Sequence, residues 1–284
     1  MTRAASRYVH GTSPEEQGRL SRLNAMLNET SAAALGLSGG ERILDIGSGL
    51  GQLSREMARR AGPAGRVIAV ERSPEQIGEA LRLARAAGED GLIEIREGDA
   101  LDLPLSETEW GSFDLAHARF VLEHVPDPLA VVRAMVRAVR PGGRIVLEDD
   151  DHEVLRAWPP VADLPQVWAA YMRTYEMNGN DPIVGRRLVE LLHAAGAVPI
   201  ENRWLFFGGC SGDPHFPALV ENMVSILEGA RAGILGTGML PAERTLDDVI
   251  ARFRGWSERS DAALWFARSW AAGRRRSEAG RSGR

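Results

Sequence analysis

Short apolar runs alternate with amphipathic segments along the chain from residue 41 onward. The apolar runs predict strands at residues 43–46, 67–70, 92–95, 113–118, 144–147, 198–207 and 262–270. Helical periodicity separates most of these runs, and Ser73-Pro74 begins one helix with a cap residue and a proline at the first position. This alternation predicts an α/β fold, a doubly wound and mostly parallel sheet of seven strands with helices on both faces.

The regular alternation is interrupted twice, and the two ends of the chain differ from the middle. Residues 1–40 predict an N-terminal helical cap. Residues 41–271 form the predicted main domain, with helical lid insertions at about 150–184 and 213–258. Residues 272–284 are rich in glycine, serine and arginine, and we expect this tail to be disordered.

Three glycines at alternate positions directly follow the first strand. Gly47, Gly49 and Gly51 stand between the apolar run and a helical segment, and Asp45 lies two residues before the first of them. A strand, a glycine turn and a helix in this order present backbone N–H groups to a nucleotide-like ligand. The dinucleotide fingerprint is G-x-G-x-x-G, and here the third glycine falls one residue too early for that pattern.

The run Asp45-Ile-Gly47-Ser-Gly49-Leu-Gly51 resembles the first motif of class I S-adenosylmethionine (SAM) dependent methyltransferases. The ordered part of this resemblance covers about residues 41–150. It implies a Rossmann-like fold with SAM as the cofactor. It also implies that the glycine turn packs against the methionine part of SAM, and that Asp45 accepts hydrogen bonds from turn amides or from the ligand's ammonium group.

Acidic and polar residues follow the next strands at positions where such a fold binds its cofactor. Glu71 ends the second strand, and an acid at this place in doubly wound folds binds the ribose hydroxyls. The resemblance implies that Asp99 accepts from the adenine amino group and that Arg119 meets the methionine carboxylate. For Arg119, a structural ion pair is an equal alternative. Further cofactor contacts are expected from Ser48, Arg72, Gln76, Ala100 and Tyr8.

Titratable side chains after the fourth and fifth strands supply the candidates for catalysis. Methyl transfer from a sulfonium is an in-line displacement that needs alignment above all, although a phenol or alcohol acceptor benefits from a base. The catalytic candidates are His124, His117 and Asp149, and for His124 a buried structural role is an equal alternative. The acidic run 148–151 before His152 suggests a metal, but successive strand residues face opposite sides. We therefore expect no metal site.

The segment after the fourth strand also indicates the class of acceptor. Methyltransferases that act on nucleic-acid bases carry an Asn/Asp-Pro-Pro-aromatic tetrapeptide there, whereas this chain has His117-Ala-Arg-Phe120. Residues 121–128 and the Arg-Pro-Gly-Gly run at 140–143 are similar to the small-molecule branch, which includes quinone-biosynthesis and secondary-metabolite enzymes. The resemblance therefore implies an aromatic or polyketide-like acceptor under the lids. Six aromatic residues are candidates for lining that pocket, although for any one of them a place in the core of the lids is the favoured alternative: Trp158, Trp168, Tyr171, Tyr175, Trp204 and Phe206.

Charge and composition limit the partners. The 284 residues carry a net charge of −5, which gives no general attraction to nucleic acid or to anionic membranes. The single cysteine allows no internal disulfide, and the lack of lysine excludes a Walker-A loop and Schiff-base chemistry. We therefore expect a cytoplasmic enzyme, monomeric or homodimeric, that methylates nitrogen, oxygen or carbon of a small molecule. A SAM-binding regulator without catalysis and an NAD-dependent oxidoreductase are the alternatives.

Overall fold

A computed structural model describes residues 14–242 and 244–277 of the chain. Its helices are α1 (Pro14–Ala34), α2 (Gln52–Ala61), α3 (Pro74–Ala86), α4 (Pro128–Ala138), α5 (Leu164–Met177), α6 (Leu188–Ala194), α7 (Phe216–Gly229), α8 (Arg231–Gly236) and α9 (Arg244–Ser257). Its strands are β1 (Arg42–Ile46), β2 (Arg66–Glu71), β3 (Glu94–Glu97), β4 (Phe113–Arg119), β5 (Val139–Asp150), β6 (Arg156–Trp158), β7 (Ala197–Phe206), β8 (Gly209–Cys210), β9 (Ala263–Trp265) and β10 (Ala267–Arg275). Among the described residues, no helix has the length and apolar character needed to cross a bilayer.

Seven strands form one sheet in the order β3-β2-β1-β4-β5-β10-β7. The first five run parallel to one another, and β10 is antiparallel to both of its neighbours. The predicted seven-stranded, mostly parallel sheet is therefore confirmed. The strand order reverses between β1 and β4, and sheets of this kind bind ligands outside the carboxyl ends of the strands at that point.

β1 is buried on both faces because helices cover both sides of the sheet. Its sequence Arg-Ile-Leu-Asp-Ile is a nearly continuous apolar run, as is typical of a central parallel strand. Alternate side chains enter different cores. Leu44 belongs to a core with Val131 and Met135 of α4, whereas Ile43 belongs to a core with Met57 of α2 and Leu35, just after α1.

The two predicted insertions fold together into one layer. Helices α5, α7, α8 and α9 share a core of their own, which contains Tyr171, Phe216, Phe253 and Trp256. A small antiparallel sheet in the order β6-β9-β8 accompanies them, and the sequence did not predict it. Because β6 precedes α5, β8 precedes α7 and both pair with β9, this sheet ties the two lids to each other.

The last strand extends further than the apolar pattern indicates. The sequence predicts one strand at 262–270 and disorder from residue 272, whereas β10 continues to Arg275. Backbone pairing explains the difference, since Gly273 and Arg274 pair with β5 on one side and with β7 on the other. These residues are polar, so the apolar pattern does not predict a strand there. The neighbouring strands hold them in the sheet by main-chain hydrogen bonds.

Candidate active site

The glycine turn lies at the carboxyl end of β1 and packs against the segment that follows β4. Gly47 has φ +68°, and a Cβ at this position would lie only 2.4 Å from Cγ2 of Val121. A Cβ on Gly49 would lie 3.1 Å from Oε1 of Gln76. Gly47 and Gly49 line a cleft and leave its wall open to a ligand. Gly51 precedes α2 as its N-cap residue and is not among the residues that line the cleft, so its expected cofactor contact stays a prediction.

Glu71 connects the end of β2 to the glycine turn. Its Oε2 accepts a hydrogen bond from the Gly49 N–H at 2.9 Å. Its Oε1 accepts from the N–H groups of Arg72 and Ser73, both at 2.9 Å. The carboxylate lines the cleft at the expected position. Its orientation is fixed by three backbone donors before any ligand binds.

Asp45 and His117 face each other across β1 and β4. Oδ1 of Asp45 lies 2.8 Å from Nδ1 of His117, and its Oδ2 accepts from the Ser54 hydroxyl at 2.5 Å. Both residues line the cleft, and both are buried. The partners of Asp45 are therefore side chains rather than the expected turn amides. For His117, the contact with Asp45 points to a positioning role rather than the expected catalytic one.

Polar residues from the loops after β2 and β3 line the same cleft. Oδ1 of Asp99 accepts from the Leu101 N–H at 2.8 Å, which fixes the carboxylate in the loop after β3. The other cofactor candidates that reach the cleft are Ser48, Arg72, Gln76 and Ala100. Tyr8 lies outside the described residues, so its predicted contact stays a prediction.

Helix α1 covers the cleft and holds Arg119. Nη2 of Arg119 donates to the side-chain oxygens of Asn24 and Asn28 at 2.6 and 2.9 Å, and Nη1 donates to the Ser31 hydroxyl at 3.0 Å. These partners are neutral, and in the described part of the chain Arg119 forms no ion pair with a carboxylate. The structure therefore does not support a structural ion pair as the role of Arg119. The sequence missed this part of α1, although the spacing of 24, 28 and 31 places three polar residues on one helix face.

The far end of the cleft is formed by the segment after β4, the end of β5 and helix α5. Its lining includes Glu123, His124, Asp150, His152, Tyr171 and Tyr175. The His124 ring stacks on Tyr175 with 5.5 Å between ring centroids, and its Nε2 lies 3.4 Å from Oε1 of Glu123. Oε2 of Glu123 lies 3.0 Å from Nε2 of His152. Trp168 donates from its Nε1 to the backbone oxygen of His152 at 2.7 Å.

Burial changes the protonation of this far end. Desolvation raises the pKa of Glu123 to about 8 and lowers the pKa of His124 to about 3. For the same reason, the pKa of Asp150 is raised and the pKa of His152 is lowered. Near pH 7, Glu123 and both histidines are uncharged, so each offers a ligand a hydrogen bond rather than a full charge.

Asp149 lies outside the cleft, contrary to the catalytic role predicted for it. Its Oδ2 accepts from the backbone N–H groups of Val121 and Leu122 at 3.2 and 2.8 Å. These bonds occupy a fully buried carboxyl group and shape the turn after β4. Asp149 therefore holds the segment that carries His124 without reaching a ligand.

Four of the six aromatic residues predicted for the acceptor pocket lie elsewhere. Trp158, Trp204 and Phe206 are 63%, 68% and 60% exposed, and Trp168 belongs to the lid core. Trp204 and Phe206 lie on β7, an edge strand of the sheet, and their side of that strand faces solvent. Tyr171 and Tyr175 are the predicted aromatic residues that do line the cleft.

Residues 37–196 match the family described as a methyltransferase domain. The chain is 34% identical over 170 residues to the ubiquinone biosynthesis O-methyltransferase of Xanthomonas oryzae pv. oryzae, which covers 59% of this chain and 64% of that protein. It is 34% identical over 140 residues to the 27-O-demethylrifamycin SV methyltransferase of Amycolatopsis mediterranei, which covers 49% and 50% respectively. The chain thus spans less than two thirds of the length of these curated relatives.

The solved structure of geranyl diphosphate C-methyltransferase from Streptomyces coelicolor superposes on this chain with a TM-score of 0.55. The match covers 90% of this chain and 82% of that one, at 17% sequence identity. At this identity the likeness concerns the fold alone.

Proposed function

The chain belongs to the methyltransferase domain family, and from this premise we propose that it transfers the methyl group of SAM to a hydroxyl group of a small, largely apolar acceptor. The family match confirms the predicted methyltransferase class and, with it, SAM as the cofactor. The choice of a hydroxyl acceptor is supported by two curated relatives whose names refer to an oxygen position.

One observation carries the proposal: cofactor candidates and acceptor candidates line a single cleft. Glu71 and Asp99 lie at one end, and His124 and Tyr175 lie at the other. An acceptor beside His124 and a cofactor beside Glu71 would therefore lie in one cleft. An in-line displacement requires the two to be aligned, and alignment is the main contribution of the protein to such a reaction.

The residues at the near end fit SAM. Gly47 and Gly49 leave the wall open where a Cβ would meet Val121 or Gln76. The Glu71 carboxylate matches a vicinal diol, whereas an arginine there would indicate a 2′-phosphate. Arg119 has neutral partners in the described part of the chain, so its charge is available to the ligand's carboxylate. When bound, SAM supplies an electrophilic methyl group on its sulfonium.

At the far end, His124 and the lid orient the acceptor. The uncharged imidazole of His124 accepts a hydrogen bond from the acceptor hydroxyl, and its low pKa makes this orienting role more suitable than full proton removal. Tyr171 and Tyr175 provide apolar surface for a ring or chain. Helix α1 and the lid layer exclude water from the reacting atoms.

Calorimetric titration of the pure chain with SAM, S-adenosylhomocysteine and NAD tests the first half of the proposal. We expect the first two to bind at micromolar concentration and NAD not to bind. Incubation with phenolic and aliphatic alcohols, read as the mass gain of one methyl group, tests the second half. Binding of NAD alone would revive the oxidoreductase alternative, and tight SAM binding without turnover of any acceptor would favour the regulator.

A further inference from the structure

We propose that Glu123, Asp150 and His152 form a binding site for one divalent cation at the acceptor end of the cleft. The three side chains line the cleft, and each offers one ligand atom within 4.8 Å of the other two. This claim about binding stands on the three side chains alone. Only its consequence for the acceptor rests on the proposed methyl transfer.

The spacing of the side-chain atoms suits a metal ion. Oε2 of Glu123 and Nε2 of His152 are 3.0 Å apart. Neighbouring ligands of a small octahedral ion, with bonds of about 2.1 Å, lie about 3 Å from each other. A cation therefore fits between these two atoms with little movement of either side chain, provided that it displaces the proton they share.

The position of the three residues in the fold explains how they meet. Glu123 lies in the turn after β4, and Asp150 ends the neighbouring strand β5. His152 begins a short 3-10 helix two residues after the end of β5, and its side chain lines the same cleft as that of Asp150. The acids between and beside them turn away: Asp149 binds the N–H groups after β4, and Asp151 pairs with Arg186. Alternation therefore excludes a site made from four consecutive acids but allows this one.

Polar atoms in the cluster are buried without a partner. Glu123 and His152 are each 3% exposed. Within the part of the chain that the structure describes, Oδ1 of Asp150 and Nδ1 of His152 are buried and have no hydrogen-bond partner. Asp45 differs, since both of its carboxylate oxygens contact side chains. A buried polar atom without a partner is costly, and a cation held between Oε2 of Glu123 and Nε2 of His152 would give the Asp150 carboxyl group such a partner.

The two carboxyl groups of the cluster suit a cation. They lie together in a low-dielectric wall, and the Glu123 oxygens lie 3.4 Å from His124 and 3.0 Å from His152, both uncharged near pH 7. Without a cation the buried Glu123 carboxyl holds its proton near pH 7, because an ionised carboxylate is unfavourable there unless an opposite charge or a metal accompanies it. A divalent cation would displace that proton and supply the charge that the ionised carboxylates need.

The ligand set indicates which cations suit the site. Carboxylate oxygens favour Mg²⁺ and Mn²⁺, and one imidazole shifts the preference toward a first-row ion such as Mn²⁺ or Fe²⁺. Three protein ligands leave coordination positions open toward the cleft. If methyl transfer takes place as proposed, an acceptor oxygen occupies one of them, and the cation lowers the pKa of the bound hydroxyl.

Mn²⁺ titration followed by electron paramagnetic resonance tests the site without cofactor or acceptor. The pure chain is treated with a chelator, desalted and titrated with Mn²⁺, and we expect one bound ion per chain. The variants Asp150→Asn and His152→Gln should bind at least about tenfold more weakly. Glu153→Gln, which changes the adjacent exposed acid, should bind like the wild type. Circular dichroism checks that each variant is folded.

A second measurement on the wild type keeps the test valid if a variant fails to fold. Bound Mn²⁺ should broaden the side-chain NMR signals of His152 and His124 before those of the exposed His193 and His215. Three outcomes would each overturn the proposal. They are a wild type that does not bind one Mn²⁺ per chain, two variants that bind like the wild type, and broadening that starts at the exposed histidines. In that case Glu123, Asp150 and His152 form a hydrogen-bonded cluster that binds no metal ion. A failure of methyl transfer would leave these results unchanged.

Discussion

The Glu71 carboxylate accepts a hydrogen bond from the Gly49 N–H at 2.9 Å, so the end of β2 holds the glycine turn at the end of β1. One residue thus has two tasks. It shapes the glycine turn, and in the proposed cofactor site its carboxylate is the expected partner of the ribose. A change at Glu71 is therefore expected to affect both parts of the cofactor site.

The first prediction concerns this residue. Glu71→Ala should weaken SAM binding by about 1–3 kcal/mol, because charge-assisted hydrogen bonds are lost. Calorimetry with SAM measures the effect. Glu79→Ala, a change on the partly exposed helix α3, is the control and should leave the dissociation constant as it is. An unchanged constant for Glu71→Ala would remove Glu71 from the cofactor site.

The second prediction concerns the turn itself. Gly47→Ala should lower the free energy of unfolding by about 1–3 kcal/mol, because the new Cβ meets Val121 and the residue has φ +68°. Gly78→Ala is the matched control, since a Cβ there meets no atom within 4 Å. In the interior of α3 that change should stabilise the protein by about 0.5–1 kcal/mol. Denaturant unfolding compares the two, and equal effects would contradict the close packing at Gly47.

Local sequence patterns predict the cofactor end better than the acceptor end. Glu71 and Asp99 could be placed because each follows an apolar run, and parallel strands bring their carboxyl ends to one edge. The roles of Asn24 and Asn28 could not be predicted, since each is separated from its partner Arg119 by more than 90 residues in the sequence. Trp204 was assigned to the pocket by residue type, but its place on an edge strand is a property of the whole sheet.

The same limit applies to the acidic run after β5. Alternation predicts that Asp149 and Asp150 point to opposite sides, but it does not say which side faces the cleft. That choice depends on the turn after β4, whose N–H groups bind Asp149. The sequence therefore named Asp149 as the candidate, whereas the structure places Asp150 in the lining of the cleft.

The third prediction separates the carboxylate contact of Arg119 from the rest of the site. Arg119→Gln should weaken SAM binding by about 1.5–3 kcal/mol, the value of a hydrogen bond to a charged group. It should leave the binding of 5′-methylthioadenosine nearly unchanged, because that compound has no carboxylate. Arg133→Gln, an exposed arginine of α4, is the control for charge alone. Equal losses for both ligands would assign Arg119 to holding α1 instead.

The fourth prediction concerns His124. His124→Ala should lower kcat about tenfold to a hundredfold with a hydroxyl acceptor, because one orienting hydrogen bond is lost. The dissociation constant of SAM should not change, since His124 lies at the other end of the cleft. His193→Ala, an exposed histidine, serves as the control. Normal turnover by His124→Ala would give the ring a structural role only.

The last prediction concerns stability in acid. Glu109 accepts from Nη1 and Nη2 of Arg96, both at 2.8 Å, and these bonds lower the pKa of Glu109 to about 2 from its ordinary value of 4.5. Because the folded pKa lies below the unfolded one, Glu109 stabilises the protein above about pH 4.5, and this contribution disappears as the pH falls to about 2. A shift of this size corresponds to about 3 kcal/mol at most, and screening by solvent reduces that contribution.

Glu109→Gln measures that contribution. Near pH 7, the variant should have a lower free energy of unfolding than the wild type, and the difference should shrink steadily between pH 4.5 and pH 2. Urea unfolding at a series of pH values gives both curves. Glu107→Gln, a change in the same loop at an exposed position, should follow the wild type throughout. A difference that stayed constant with pH would mean that Glu109 stabilises the loop by packing, since its contacts with Arg96, Arg42 and Ser106 weaken when the carboxylate is protonated.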